Sequence, residues 1–218
     1  MTNKILLPVA NGSEDMEVVI IADVLRRAGL EVVVTSVSGS LQLTLARGIQ
    51  ITADALLDDV INDDFALIAL PGGIPGSEAL RDCSALADRL RQQKQQGKWI
   101  GAICAAPAVV LQHHELIRDA YVTCHPNFQH LLSPELCMTE EAVVVDEHHQ
   151  LVTSQGPGTA MRFALTLVDV ILGEEAAIEV EQPLCMLLEQ LEDEELDGED
   201  LNDEALDSDP SSCCSHHH

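Results

Sequence analysis

One thiol stands where the sequence could make it a nucleophile. Cys104 follows the apolar run KWIGAI (98–103) and precedes AAPAVV, so it falls where a strand hands over to a helix. A side chain on such a turn is exposed and aimed near a helix N-terminus. Unpaired N–H groups and partial positive charge there favour a thiolate. The thiolate is both the attacking and the oxidisable form of cysteine. The plain alternative is a buried structural cysteine. Cys83, Cys124, Cys137 and Cys185 have no comparable setting and read as structural or surface thiols. In PGGIPG (71–76), Gly72 and Gly73 offer backbone N–H groups unobstructed by side chains. Together with the N–H of Ala105 they could hold an oxyanion, although an ordinary glycine turn would look the same. Glu14, Asp15 and Glu17 in NGSEDME occupy a first helical turn, where carboxylates are favoured on electrostatic grounds alone. His125, in TCHPNF, ends an apolar segment and can reach the same rim, though an isolated histidine is more often structural.

These residues are far apart in sequence, so the fold must gather them. Residues 4–10, 31–37, 65–70 and 98–103 read as buried strands, and 41–52 as a short hairpin or an edge excursion. Residues 120–124, 142–145 and 151–154 add further strands. Helices are expected over 16–28, ending at Gly29, over 77–96 and over 156–172. The βαβα rhythm implies a mostly parallel sheet with helices on both faces. Ligands in such sheets bind beyond the carboxyl ends of the strands. NGSEDME, PGGIPG and CAAP all lie at such ends.

The chain has 218 residues, enough for one α/β domain with a substantial core. Only 2% of residues are aromatic, so that core must be aliphatic. No apolar run is long enough to span a membrane. The first residues read as a strand rather than a signal peptide, and a cytoplasmic location is expected. Net charge is −26, and residues 189–209 alone hold 12 acidic residues and no Lys or Arg. Such a balance excludes nucleic acid as a partner, because binding requires cations on phosphates. Residues 1–188 are therefore expected to form the domain and 189–218 a solvated, disordered acidic tail. The terminal CCSHHH is set aside from fold reasoning and no metal is assigned to it.

NGSEDMEVV, LPGGIPGSEAL, GAICAAPAVVL, the His125-Pro126 pair and TSQGPGTAMRFAL occur in an order that resembles the ThiJ/PfpI superfamily. The nearest branch is the one holding the Parkinson's-disease protein deglycase and the bacterial chaperone YajL. The resemblance runs from residue 3 to about 187. It implies a flavodoxin-like three-layer sandwich and a homodimer, with no cofactor or metal. It places Cys104 on the family's nucleophilic, oxidation-sensitive cysteine and Glu17 on the protonated acid that hydrogen-bonds it. His125 falls on the pocket histidine, Gly73 and Ala105 on the backbone donors facing the cysteine, Glu14 on a rim acid, and Arg27 and Arg47 on basic residues near the dimer interface and the pocket rim. Two functions follow as expectations. The first is a cysteine-dependent enzyme acting on α-oxoaldehydes or glycated proteins, of glutathione-independent glyoxalase or deglycase type. The second is a redox-sensing chaperone for misfolded proteins. Ala105 stands where the protease-like branch has a histidine, so a proteolytic triad is not expected. Thr52 occupies the strand where some relatives carry a second redox cysteine.

Overall fold

The computed structural model describes residues 2–185. The expected acidic tail and the terminal CCSHHH lie outside the described residues. Seven strands form the main sheet: β1 (Lys4–Val9), β2 (Glu31–Ser36), β5 (Ala55–Leu56), β6 (Leu67–Leu70), β7 (Trp99–Ile103), β8 (Val143–Asp146) and β9 (Leu151–Ser154). Their order is β5-β2-β1-β6-β7-β9-β8, parallel throughout except that β8 runs antiparallel to β9. Of the two readings open for 41–52, the structure has the hairpin: β3 (Gln42–Thr44) and β4 (Gln50–Thr52) pair antiparallel in a separate sheet. Strands β1, β6 and β7 are buried along nearly their whole length, which explains their continuous apolar runs.

Helix α1 (Asp15–Arg27) packs against α5 (Ala160–Leu172), which in turn packs against α6 (Glu174–Glu181). A four-residue helix, α2 (Leu57–Val60), follows β5. The other sheet face is covered by α3 (Ile74–Asp82), α4 (Ser84–Gln95) and a π-helical segment, 107–112. The two-residue period of the strands divides the core between these layers. Leu6, Ile68, Leu70, Ile100 and Ala102 join Leu80, Leu86, Leu90 and Val110 in one cluster. On the opposite face, Gly101 leaves room for α5: a β-carbon there would lie 2.9 Å from Leu167 and 3.1 Å from Phe163.

Four elements differ from expectation. The long helix over 77–96 is two helices, broken at Cys83, whose backbone is extended. Leu80 and Leu86 are both fully buried, yet six residues on a continuous helix would point them well apart. The break resets the phase. Residues 120–124 form no strand; Val122 alone makes a bridge, to Cys137. The Thr123 N–H is satisfied instead by the Thr153 hydroxyl. The helix over 156–172 starts with a 3-10 turn at 157–159. Helix α6 follows Gly173, whose φ of 94° ends α5 and lets the chain turn into a new helix.

The topology decides where a site can form. From β1 the chain moves outward to β2 and β5, then returns to the other side of β1 as β6 and β7. The direction reverses between β1 and β6, the place where open α/β sheets bind ligands. The loops after β1, β6 and β7 meet there.

Candidate active site

Cys104 sits immediately after β7 with φ 63°, a left-handed conformation that costs a non-glycine residue free energy. Hydrogen bonds on both sides hold it: its N–H donates to Ser154 O (2.9 Å), and its carbonyl accepts from the His125 N–H (2.8 Å). The residue is 9% exposed, at the inner end of a pocket of about 520 Å³. Glu14, Arg47, Gly73, Ala105 and His125 share that pocket. Six residues named from the sequence therefore converge as expected. Glu17 is fully buried and lies behind them.

Gly72 and Gly73 are glycines for separate reasons. A β-carbon on Gly72 would lie 2.5 Å from Cys104 Cβ, 2.9 Å from Sγ and 2.9 Å from Glu17 Oε2. Any side chain there would occupy the space between thiol and carboxyl. Gly73 has φ 85°, and a β-carbon would overlap Gly12 O and lie 2.6 Å from Glu14 N. Their N–H groups also have different uses. The Gly72 N–H donates to Glu17 Oε2 at 2.6 Å, so it is not the oxyanion donor expected of it. The N–H groups that bear on the sulfur are those of Gly73 and Ala105.

The carboxyl and the thiol are one electrostatic unit. Burial pushes the Glu17 carboxyl up from 4.5 to about 7, against the Gly72 N–H and the Cys104 thiol; Glu14 adds a smaller push. Glu17 Oε1 has no hydrogen bond of good geometry, which suits a protonated carboxyl better than a buried carboxylate. Burial, and next the negative charge of Glu17, push the Cys104 thiol up to about 12, against the Gly73 and Ala105 N–H groups. The easily ionised thiol expected at this turn therefore depends on the state of Glu17: a carboxylate there makes the thiol harder to ionise. Two groups this close titrate as a pair, and the first proton lost belongs to both. With that proton on Glu17, both of its effects that raise the thiol are gone, and its O–H becomes a donor to sulfur.

His125 begins a 3-10 turn over 126–131, and its Nδ1 accepts from the Asn127 N–H at 3.2 Å. In the neutral ring the proton is then on Nε2, so this edge donates rather than accepts. Arg27, also expected at the rim, does not line this pocket. It lies in the last turn of α1, pairs with Asp23 at 2.5 Å, and lines a different hollow with Ala176 and Glu179. Glu14 and Glu17 stand at the other end of the same helix. Cys83, Cys104, Cys124 and Cys137 form no disulfide. Burial pushes the Cys124 thiol up to about 12 as well. Among the described residues, no three His, Cys, Asp or Glu come together as a metal site, and no helix is long and apolar enough to cross a membrane.

Sequence reasoning missed the outer wall, made by Thr44, Leu45 and Ala46 of the hairpin with Asn127 and Phe128. The hairpin carries no chemistry-bearing motif. Only its contacts, more than thirty residues back in the chain, bring it to the pocket.

An α/β fold with a strained cysteine elbow facing a buried carboxyl defines a class of cysteine-site proteins, and comparison gives the family. Residues 3–170 match the DJ-1/PfpI family, to which the chain belongs. It is similar to Protein DJ-1 homolog B of Arabidopsis thaliana, 42% identical over 185 residues, covering 85% of this chain and 42% of that one. The chain spans about half the length of this relative and of Arabidopsis homolog A. It is 37% identical over 183 residues to the Caenorhabditis elegans glutathione-independent glyoxalase DJR-1.2, covering 84% and 95%. The solved structure of oxidized Toxoplasma gondii DJ-1 superposes with a TM-score of 0.80 at 43% identity, covering 83% and 97%.

Proposed function

We propose that this protein converts small α-oxoaldehydes to 2-hydroxy acids without glutathione, using Cys104 as nucleophile and Glu17 as the proton-transfer group. The observation that carries this is the pairing of a buried carboxyl, raised to about 7, with a thiol on a strained elbow facing a pocket. The glyoxalase name of the Caenorhabditis elegans relative supports the aldehyde class. The Cys104 thiolate adds to the aldehyde carbon, and the developing oxyanion meets the Gly73 and Ala105 N–H groups. Glu17, left as carboxylate once its proton has moved to substrate, takes the proton from the former aldehyde carbon. It returns that proton to the neighbouring carbon, while the hydroxyl proton on the former aldehyde carbon passes to the neighbouring oxygen. His125 donates through Nε2–H to a substrate oxygen. The product is a thioester on Cys104, and water releases the hydroxy acid and restores the thiol. Oxidation level balances within the substrate, and no external reductant enters. A pocket of about 520 Å³ admits small molecules and excludes folded protein from the sulfur. Glycated side chains could enter only as extended tips.

The test is lactate formation from methylglyoxal in the absence of glutathione. Cys104→Ala is expected to abolish it, and undiminished turnover would refute the role of the thiol. A redox role for the same sulfur is the second reading, supported by the likeness to an oxidized structure and by the N–H donors around Sγ. Peroxide should then add oxygen to Cys104 before any other described cysteine, as read by peptide mass spectrometry. Chaperone activity that survives Cys104→Ala would separate that role from turnover.

A second copy of the chain fits the face made by α1 and the hairpin. Met16 and Val19 are about half exposed there, as is Ile49 (53%, 49% and 52%), beside a groove lined by Ala22, Val34 and Ile51. Val19→Asp should shift a dimer to monomer in sedimentation; an unchanged mass would remove this interface. A cytoplasmic setting, where thiols stay reduced, suits this chemistry.

A further inference from the structure

We infer that Asp15 is a positioning residue that fixes the outer wall of the Cys104 pocket, a role that rests on the pocket being the reactive site. Asp15 is only 2% exposed. Its Oδ2 accepts from the Arg47 N–H at 2.7 Å and its Oδ1 from the Ile49 N–H at 3.1 Å. Those two N–H groups flank Gly48, whose φ of 93° makes the hairpin turn. Converging amides around a left-handed residue form an anion-binding concavity, and here the anion is a side chain of the same protein.

The turn so held carries the wall. Thr44, Leu45, Ala46 and Arg47 all line the pocket, yet the hairpin is not part of the main sheet. Its attachment is to the loop after β1. Asn11 Oδ1 accepts from the Thr44 N–H (2.8 Å), the Gly12 N–H donates to Thr44 O (2.9 Å), and the Ala46 N–H donates to Ser13 O (2.8 Å). Asp15 supplies the only one of these attachments that reaches past Ala46 to the tip of the turn. Residues two apart on a helix do not face each other, so Asp15 and Glu17 divide the first turn of α1. One carboxyl holds the wall and the other faces the sulfur. One helical turn thus contacts both the wall and the nucleophile.

An Asp15→Asn substitution keeps the volume but offers one acceptor to two donors, with its own NH₂ turned against the second N–H. The turn at 45–49 loosens and the wall moves outward. The test reads Cys104 in the full chain, by peptide mapping after alkylation with N-ethylmaleimide or with a bulky fluorescein maleimide. Asp15→Asn is expected to raise the bulky-to-small rate ratio and to leave the pH dependence with the small reagent unchanged. With methylglyoxal it should raise KM by about tenfold with a smaller change in kcat. Asp15→Glu, which keeps both acceptors, should restore the ratio in part. If Asp15→Asn does not fold, Asn11→Ala removes a neighbouring attachment and should move the ratio the same way. An unchanged ratio in a folded variant overturns the inference, as does a loss of thermal stability alone. The alkylation readout stands even if the protein turns over no aldehyde.

Discussion

Glu17→Gln replaces one oxygen by an NH₂ and removes a proton without changing shape. The Gly72 N–H can still find an acceptor in the Gln carbonyl, and the NH₂ can still point at sulfur. What is lost is the ability to hold the proton that leaves Cys104. In the wild type the pair loses its first proton near the raised value of Glu17, about 7, and its second near 12. If the first loss leaves the proton on Glu17 and the charge on sulfur, alkylation of Cys104 rises through about pH 7 and then levels off. In the variant the thiol titrates alone and, being buried, above the ordinary 9.0. A shift of two units or more cuts the reactive thiolate at pH 7 by about 50-fold or more. The opposite arrangement predicts the opposite sign. Were Glu17 the anion and Cys104 the acid, removing the charge would make the variant react faster above pH 7. Rates of Cys104 modification from pH 5 to 10 distinguish the two, and a faster variant refutes the shared-proton account. Stability gives an independent check. The folded Glu17 value lies above the unfolded one of 4.5, so this residue's contribution is fully present below about pH 4.5. It is lost as pH rises through about 7, to the extent of roughly 3 kcal/mol. Glu17→Gln should thus gain stability over the wild type at pH 8, and not at pH 4.

Other outcomes follow from packing and charge. Gly73→Ala forces a β-carbon into Gly12 and a strained φ of 85°. That strain alone costs about 1–2 kcal/mol, so Tm should fall by several degrees with loss of turnover. For Asp146, burial would raise the carboxyl, but hydrogen bonds from His149 and the Tyr121 N–H outweigh it and hold it below 3.8. Its stabilisation is present above the unfolded pKa and is lost as pH falls through the lower folded one. Asp146→Asn should therefore flatten the acid limb of the stability curve, below the ordinary carboxylate value of 3.8, in urea titrations, and an unaltered acid limb would contradict this.

Much of the fold was legible because its signals are local. Continuous aliphatic runs marked β1, β2, β6 and β7, and Gly29 marked the end of α1. The helix break at Cys83 was not legible, since Ser84–Gln95 extends the same polar face; only the phase between Leu80 and Leu86 betrays it. The convergence of Cys104, Gly73, Ala105, Glu14, Arg47 and His125 was readable from strand-end placement and resemblance. Arg27 lies away from the rim, at the other end of α1 from Glu14, and a match in sequence does not say at which end of a helix the pocket lies. Gly72 was given the wrong partner because the Glu17 oxygen that takes its N–H comes from fifty-five residues earlier. The burial of Cys104 and its coupling to the Glu17 carboxyl were not legible, because they are properties of assembled layers and no local motif carries them.

The central claim is that the Cys104 sulfur bonds to the aldehyde carbon. Acid-quenching the wild type during methylglyoxal turnover and mapping its peptides by mass spectrometry tests this most directly. The account predicts a mass increase of one methylglyoxal on the Cys104 peptide, rising and decaying in step with lactate and lost in Cys104→Ala. Lactate formed at the wild-type rate with Cys104 unmodified throughout would contradict it.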